Sequence, residues 1–72
     1  MVGVRRQVKP GERYRAIRSD GSPSPVVWEV VEIIRTSSGI EHACLAKVGD
    51  RTDTRTLATS VIADRRQFRR EG

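Results

Sequence analysis

The decapeptide VVWEVVEIIR, residues 26 to 35, constrains this chain more than any other stretch. Its density of β-branched residues predicts a strand, and its phase carries information beyond that. Trp28 and Val30 share one parity with Glu29 opposite, whereas Val31 and Ile33 share the other with Glu32 opposite. Successive strand side chains point to opposite faces, so a regular strand cannot keep both sets inside. The buried face must switch near Val30 and Val31, through a bulge or a sharp coil.

The rest of the chain is punctuated to match. Residues 1–9 hold Arg5, Arg6 and Lys9 among scattered valines and read as a flexible arm, ended by Pro10-Gly11. A single domain over residues 10–70 follows. Residues 13–18 alternate basic with apolar side chains, as a half-wet strand does, and the Pro- and Ser-rich segment 19–25 is a loop. Thr36 to Gly39 has the composition of a hairpin loop, and residues 40–48 pair back as the next strand, with Ala43 and Leu45 favoured inside. Residues 49–53 read as a turn and 54–59 as a fourth strand anchored by Leu57. Ser60 is positioned to cap one helical turn, Val61-Ile62-Ala63, before a short closing strand around an inward Phe68.

Seventy-two residues give a thin core and leave no room for a second domain or a deep cleft. An open sheet of this size would expose pairing-competent edges, which closure into a barrel removes. The expected class is therefore all-β, a small five-stranded barrel with a one-turn helix before its last strand. The segments VKPGERYR (8–15), WEVVEI (28–33), EHACL (41–45) and TLATSVIADRRQF (56–68) resemble the small SH3-like barrels of bacterial and phage proteins, and more distantly KOW and Tudor-type modules. That resemblance implies an SH3-like barrel, with ribosome or RNA binding as its functional analogy.

Lysine and arginine number 14 against 9 acids, a net charge of +5, and 12 of the 14 bases are arginine. Arginine forks bidentately onto phosphate, so the bias suits a polyanion partner as well as a soluble surface. The tail ADRRQFRREG gathers Arg65, Arg66, Arg69 and Arg70 around Phe68. A phosphate-binding surface would use these four with Arg51 and Arg55, or Arg5 and Arg6, from adjoining turns. The same charges partly paired with Asp64 and Glu71 would be ordinary solvated surface. Of the three aromatic residues, Trp28 and Phe68 suit the core, which leaves Tyr14 as the free ring for stacking. The candidate nucleic-acid-binding set is thus Arg65, Arg66, Arg69, Arg70, Arg51, Arg55 and Tyr14, contacting a DNA or RNA backbone or a ribonucleoprotein rather than reading bases.

Other chemistries find less in the sequence. His42 and Cys44 share a strand face, but structural zinc wants four ligands, and a Cys-His nucleophile needs an orienting third group. Glu29, Glu32 and Glu41 alternate with valines as in any half-buried strand. Neither a phosphate loop nor a dinucleotide motif is present. We therefore expect no enzyme activity, no cofactor and no metal. A single cysteine and the lack of a long apolar run suit a reducing, cytoplasmic setting without a membrane span. The rival expectation is a protein-interaction module, acting through a strand edge or through a groove between the long loop and the hairpin at residues 36–39, with its charge incidental.

Overall fold

The structure, a computed structural model, describes residues 7–71. Five strands and one helical turn follow in the order β1 (Arg13–Ala16), β2 (Trp28–Arg35), β3 (Glu41–Lys47), β4 (Asp50–Ala58), α1 (Thr59–Ile62) and β5 (Phe68–Glu71). They form one antiparallel sheet ordered β4-β3-β2-β1-β5. The all-β class, the five strands and the helical turn before the last strand all agree with the sequence. Closure into a barrel is not observed, because β4 and β5 are the outer strands and do not pair with each other among the described residues.

The phase switch in β2 has a structural counterpart. Val30 faces Leu45 and Glu32 faces Cys44, so the register shifts and Val31 is the extra residue. Before it, Trp28 and Val30 are buried; after it, Ile33 packs against the core, while Val31 itself is exposed. The bulge lies where β2 parts from its neighbour on one side. Trp28 and Glu29 pair with β1, and Val30 exchanges backbone bonds with Gly11 and Glu12 at 2.8 Å each, whereas among the described residues those beyond Val31 pair with β3 alone. An inserted residue adds local twist and lets one strand serve two diverging neighbours.

The core comprises Val8, Tyr14, Trp28, Val30, Ala43, Leu45, Ile62 and Phe68. Ala43 and Leu45 are fully buried, as their pairing of small and large apolar side chains suggests, and Leu57 packs against the cluster. Each large side chain removed from water in this way stabilises the fold by roughly 1.5–3 kcal/mol. Val8 corrects the boundary of the expected arm: residues 1–6 lie outside the described residues, but Val8 is a core residue.

Several boundaries differ from the sequence reading, β3 by one residue at each end. β1 stops at Ala16, because Ile17 makes only an isolated bridge to Pro23 and its amide donates to the Gln67 carbonyl at 2.8 Å. β2 starts at Trp28 rather than Val26. β4 begins at Asp50, inside the expected turn, because Lys47 already faces Asp50 across Val48 and Gly49, the latter at φ 97°. The register then jumps so that Ala46 faces Thr54, leaving Arg51, Thr52 and Asp53 without Cα partners on β3. The Asp50 carboxylate holds this bulge by accepting from the Thr52 hydroxyl at 2.6 Å and amide at 3.2 Å. Ser60 does not cap α1. The helix starts two residues earlier, Ala58 stands at its N-cap without a side-chain bond, and the Thr59 hydroxyl reaches the Glu41 carbonyl at 3.3 Å instead.

Candidate functional site

The tail is organised around Asp64. Its carboxylate accepts from the Arg66 amide at 2.9 Å, from the Arg66 guanidinium at 3.2 Å through each oxygen, and from the Gln67 amide side chain at 3.3 Å. Its carbonyl accepts from the amides of Gln67 and Phe68, both at 2.9 Å. The Arg66 side-chain bond, then the Arg66 amide and Gln67, hold the Asp64 carboxyl down at about 2. The turn swings the chain back so that Phe68 enters the core opposite Ala16 on β1.

Arg66 is thereby committed to Asp64. The other three tail arginines come together: Arg65, Arg69 and Arg70, with Phe68, line a concavity of about 420 Å³. Arg65 and Arg69 make no ion pair among the described residues, and Arg70 pairs with Glu12 at 3.4 Å. Arg69 also lies directly across the ladder from Arg15, a like-charge juxtaposition. Glu71, two residues further on, relieves it by accepting both arms of Arg15 at 2.7 and 3.0 Å, and these bonds lower its own pKa. Arg69 is left facing solvent with no ion-pair partner among the described residues.

Glu12, which the sequence did not single out, anchors this end of the site. Its carboxylate accepts from the Tyr14 hydroxyl at 2.7 Å and from the Lys9 amide at 3.0 Å, besides pairing with Arg70. Burial pushes the Glu12 carboxyl up, but the Tyr14 and Lys9 bonds and the charges of Arg70 and Lys9 together bring it below its ordinary value. The available signal was its spacing from Tyr14. Residues i and i+2 share a strand face, so a buried tyrosine there needs a polar partner near its hydroxyl.

Tyr14 is accordingly not the free ring expected of it. It is fully buried, between Trp28 on β2 and Arg70 on β5, and offers no stacking platform. Arg51 and Arg55 are not gathered with the tail either, since they ride on β4, the outer strand opposite β5. The Arg55 guanidinium lies 4.6 Å from the centroid of the Trp28 ring and covers that core residue. Arg51 lines a separate concavity of about 320 Å³ with Arg13, Glu29 and Lys47, in which Arg13 pairs with Glu29 at 3.2 Å. Arg5 and Arg6 lie outside the described residues.

The remaining candidates do not converge. Glu29 pairs with Arg13, and Glu41 with Arg35 at 3.0 Å, while Glu32 makes no ion pair among the described residues. His42 and Cys44 share a face of β3, where the His42 Nδ1 is enclosed without a hydrogen-bond partner among the described residues. No three His, Cys, Asp or Glu side chains among the described residues are grouped so as to hold a metal ion. No helix among them is long and apolar enough to cross a membrane. The groove at the hairpin is walled by the N-terminal segment and α1, through Gln7, Val8, Thr59, Ser60 and Ala63, and not by the loop 19–25.

Compared with protein-family models, curated proteins and solved structures, the chain matches none of them.

Proposed function

We propose that this protein is a small non-enzymatic binding module of the SH3-like kind that grips the phosphate backbone of a nucleic acid with Arg65, Arg69 and Arg70. The observation that carries the proposal is the concavity these three arginines share with Phe68, in which Arg65 and Arg69 have no carboxylate partner among the described residues. Guanidinium groups set around a hollow on a rigid base offer several donors to one phosphate group or to neighbouring ones. Phe68 and the Asp64 turn supply the base. The SH3-like assignment draws on the strand order, with β1 between β2 and β5, and on the helical turn before β5. With the aromatic residues in or against the core, recognition runs through backbone charge rather than base stacking.

Fluorescent duplex DNA, duplex RNA and single-stranded probes titrated at low salt test this reading. On duplex DNA three phosphate contacts predict a slope of log affinity against log salt of about −2.7, or roughly 40-fold weaker binding between 50 and 200 mM salt, and on single strands a slope of about −2.1. The triple variant R65A/R69A/R70A should lose at least about tenfold in affinity, and R66A much less, because Arg66 is occupied by Asp64. Failure of every probe to bind at low salt would sink the proposal.

A further inference from the structure

We infer that β4 pairs with β4 of a second copy of this chain, antiparallel and centred on Thr54. The segment Thr52-Asp53-Thr54-Arg55-Thr56 is charge-complementary to itself when reversed. A two-fold axis through Thr54 sets Asp53 of each copy opposite Arg55 of the other and Thr52 opposite Thr56. Opposite charges directly across a ladder, and threonine pairs on the other face, are both favourable cross-strand neighbours.

Three observations support this edge. β4 is an outer strand of the sheet, and Asp50 to Thr56 are all exposed. It carries no proline, and its charges at Asp53 and Arg55 are of opposite sign in a self-complementary order, so they attract a reversed second copy instead of repelling it. Seven of the nine acids in the chain are held by an ion pair or hydrogen bond, namely Glu12, Asp20, Glu29, Glu41, Asp50, Asp64 and Glu71; Asp53 and Glu32 have none among the described residues. Arg55 likewise meets no carboxylate among them, only the Trp28 ring. The two charges the pairing would join therefore both lack an ion-pair partner among the described residues. Thr52 and Asp53 belong to the stretch where β4 leaves the β3 ladder, so the shared ladder is a short run from Thr52 to Thr56 and the interface belongs at the small, reversible end of the range. The β4 edge is separate from the arginine concavity, which sits on the other outer strand, so either can fail without the other.

Sedimentation velocity of the full chain over a wide concentration range, without nucleic acid, provides the test. The wild-type chain should shift from one-fold to two-fold mass as concentration rises. D53R and R55D should each remain at one-fold mass, because each homodimer would oppose like charges. An equimolar mixture of the two variants should regain two-fold mass, since the D53R chain brings two guanidinium groups to the ladder and the R55D chain two carboxylates opposite them. Concentration-dependent slowing of amide exchange at residues 52–56 in the wild type gives a second readout that needs no folded R55D chain. One-fold mass for the wild type up to millimolar concentration overturns the inference. So does undiminished association of D53R, or a mixture of folded D53R and R55D that stays at one-fold mass.

Discussion

Asp64 shows how one side chain can decide the course of a segment. Its carboxylate collects the Arg66 amide, the Arg66 guanidinium and Gln67, while its carbonyl holds the amides that lead into Phe68. Because those bonds depress its folded-state pKa to about 2 from an ordinary 3.8, the unfolded chain binds this proton more readily. The contribution is present above the unfolded value, and falls away as pH drops from about 4 through 2. We predict that carboxyl titration followed by NMR will give a midpoint near 2 for Asp64, with the Phe68 amide shifting in the same range. A midpoint at the ordinary aspartate value would mean that the turn does not hold its arginine. Tyr14 and Glu12 teach the complementary lesson. A ring that is polar at one end can be wholly enclosed once a carboxylate meets its hydroxyl, and that carboxylate then fixes an arginine on the next strand.

At the scale of the element, β2 sets the geometry of the sheet. Its bulge restores the alternation that Val31 interrupts: with Val31 set aside, Val30 points in, Glu32 out and Ile33 in. Deleting Val31 should therefore leave every neighbour on its present face and preserve a cooperative thermal transition. Deleting Glu29 should abolish the transition, because Trp28 and Val30 would then fall on opposite faces. Circular dichroism melts distinguish the two. Loss of folding in the Val31 deletion would show that the bend itself, rather than face parity, is what the extra residue supplies. The phase switch was legible because parity is a property of the chain written in its own order. The start of β4 was not, because the Asp50 bulge depends on how far Lys47 and Asp50 are brought together by the turn between them.

At the scale of the whole molecule, the core is small and every member counts. Val8, far in sequence from most of its neighbours, is 4 % exposed and belongs to the same cluster as Ile62 and Phe68. V8A removes two buried carbon groups and should lower stability by about 2 kcal/mol in denaturant melts. An unchanged midpoint would return Val8 to the arm that composition suggests. The same scale governs the candidate site. Local composition marked the tail arginines, but only the sheet order separates Arg51 and Arg55 from them, and only the Asp64 turn separates Arg66 from Arg65 and Arg69.

Sequence alone determined the class of fold, the number of strands, the helical turn, the bulge and the inward Ala43, Leu45, Trp28 and Phe68. All of these follow from periodicity and local conformational preference, which act between near neighbours in the chain. Tertiary structure decided the burial of Tyr14, the recruitment of Val8, the commitment of Glu12 to Arg70, and which arginines share a surface. Those outcomes depend on strands brought side by side from distant parts of the sequence. Whether a charge is answered there is a matter of distance in space, which no spacing along the chain encodes.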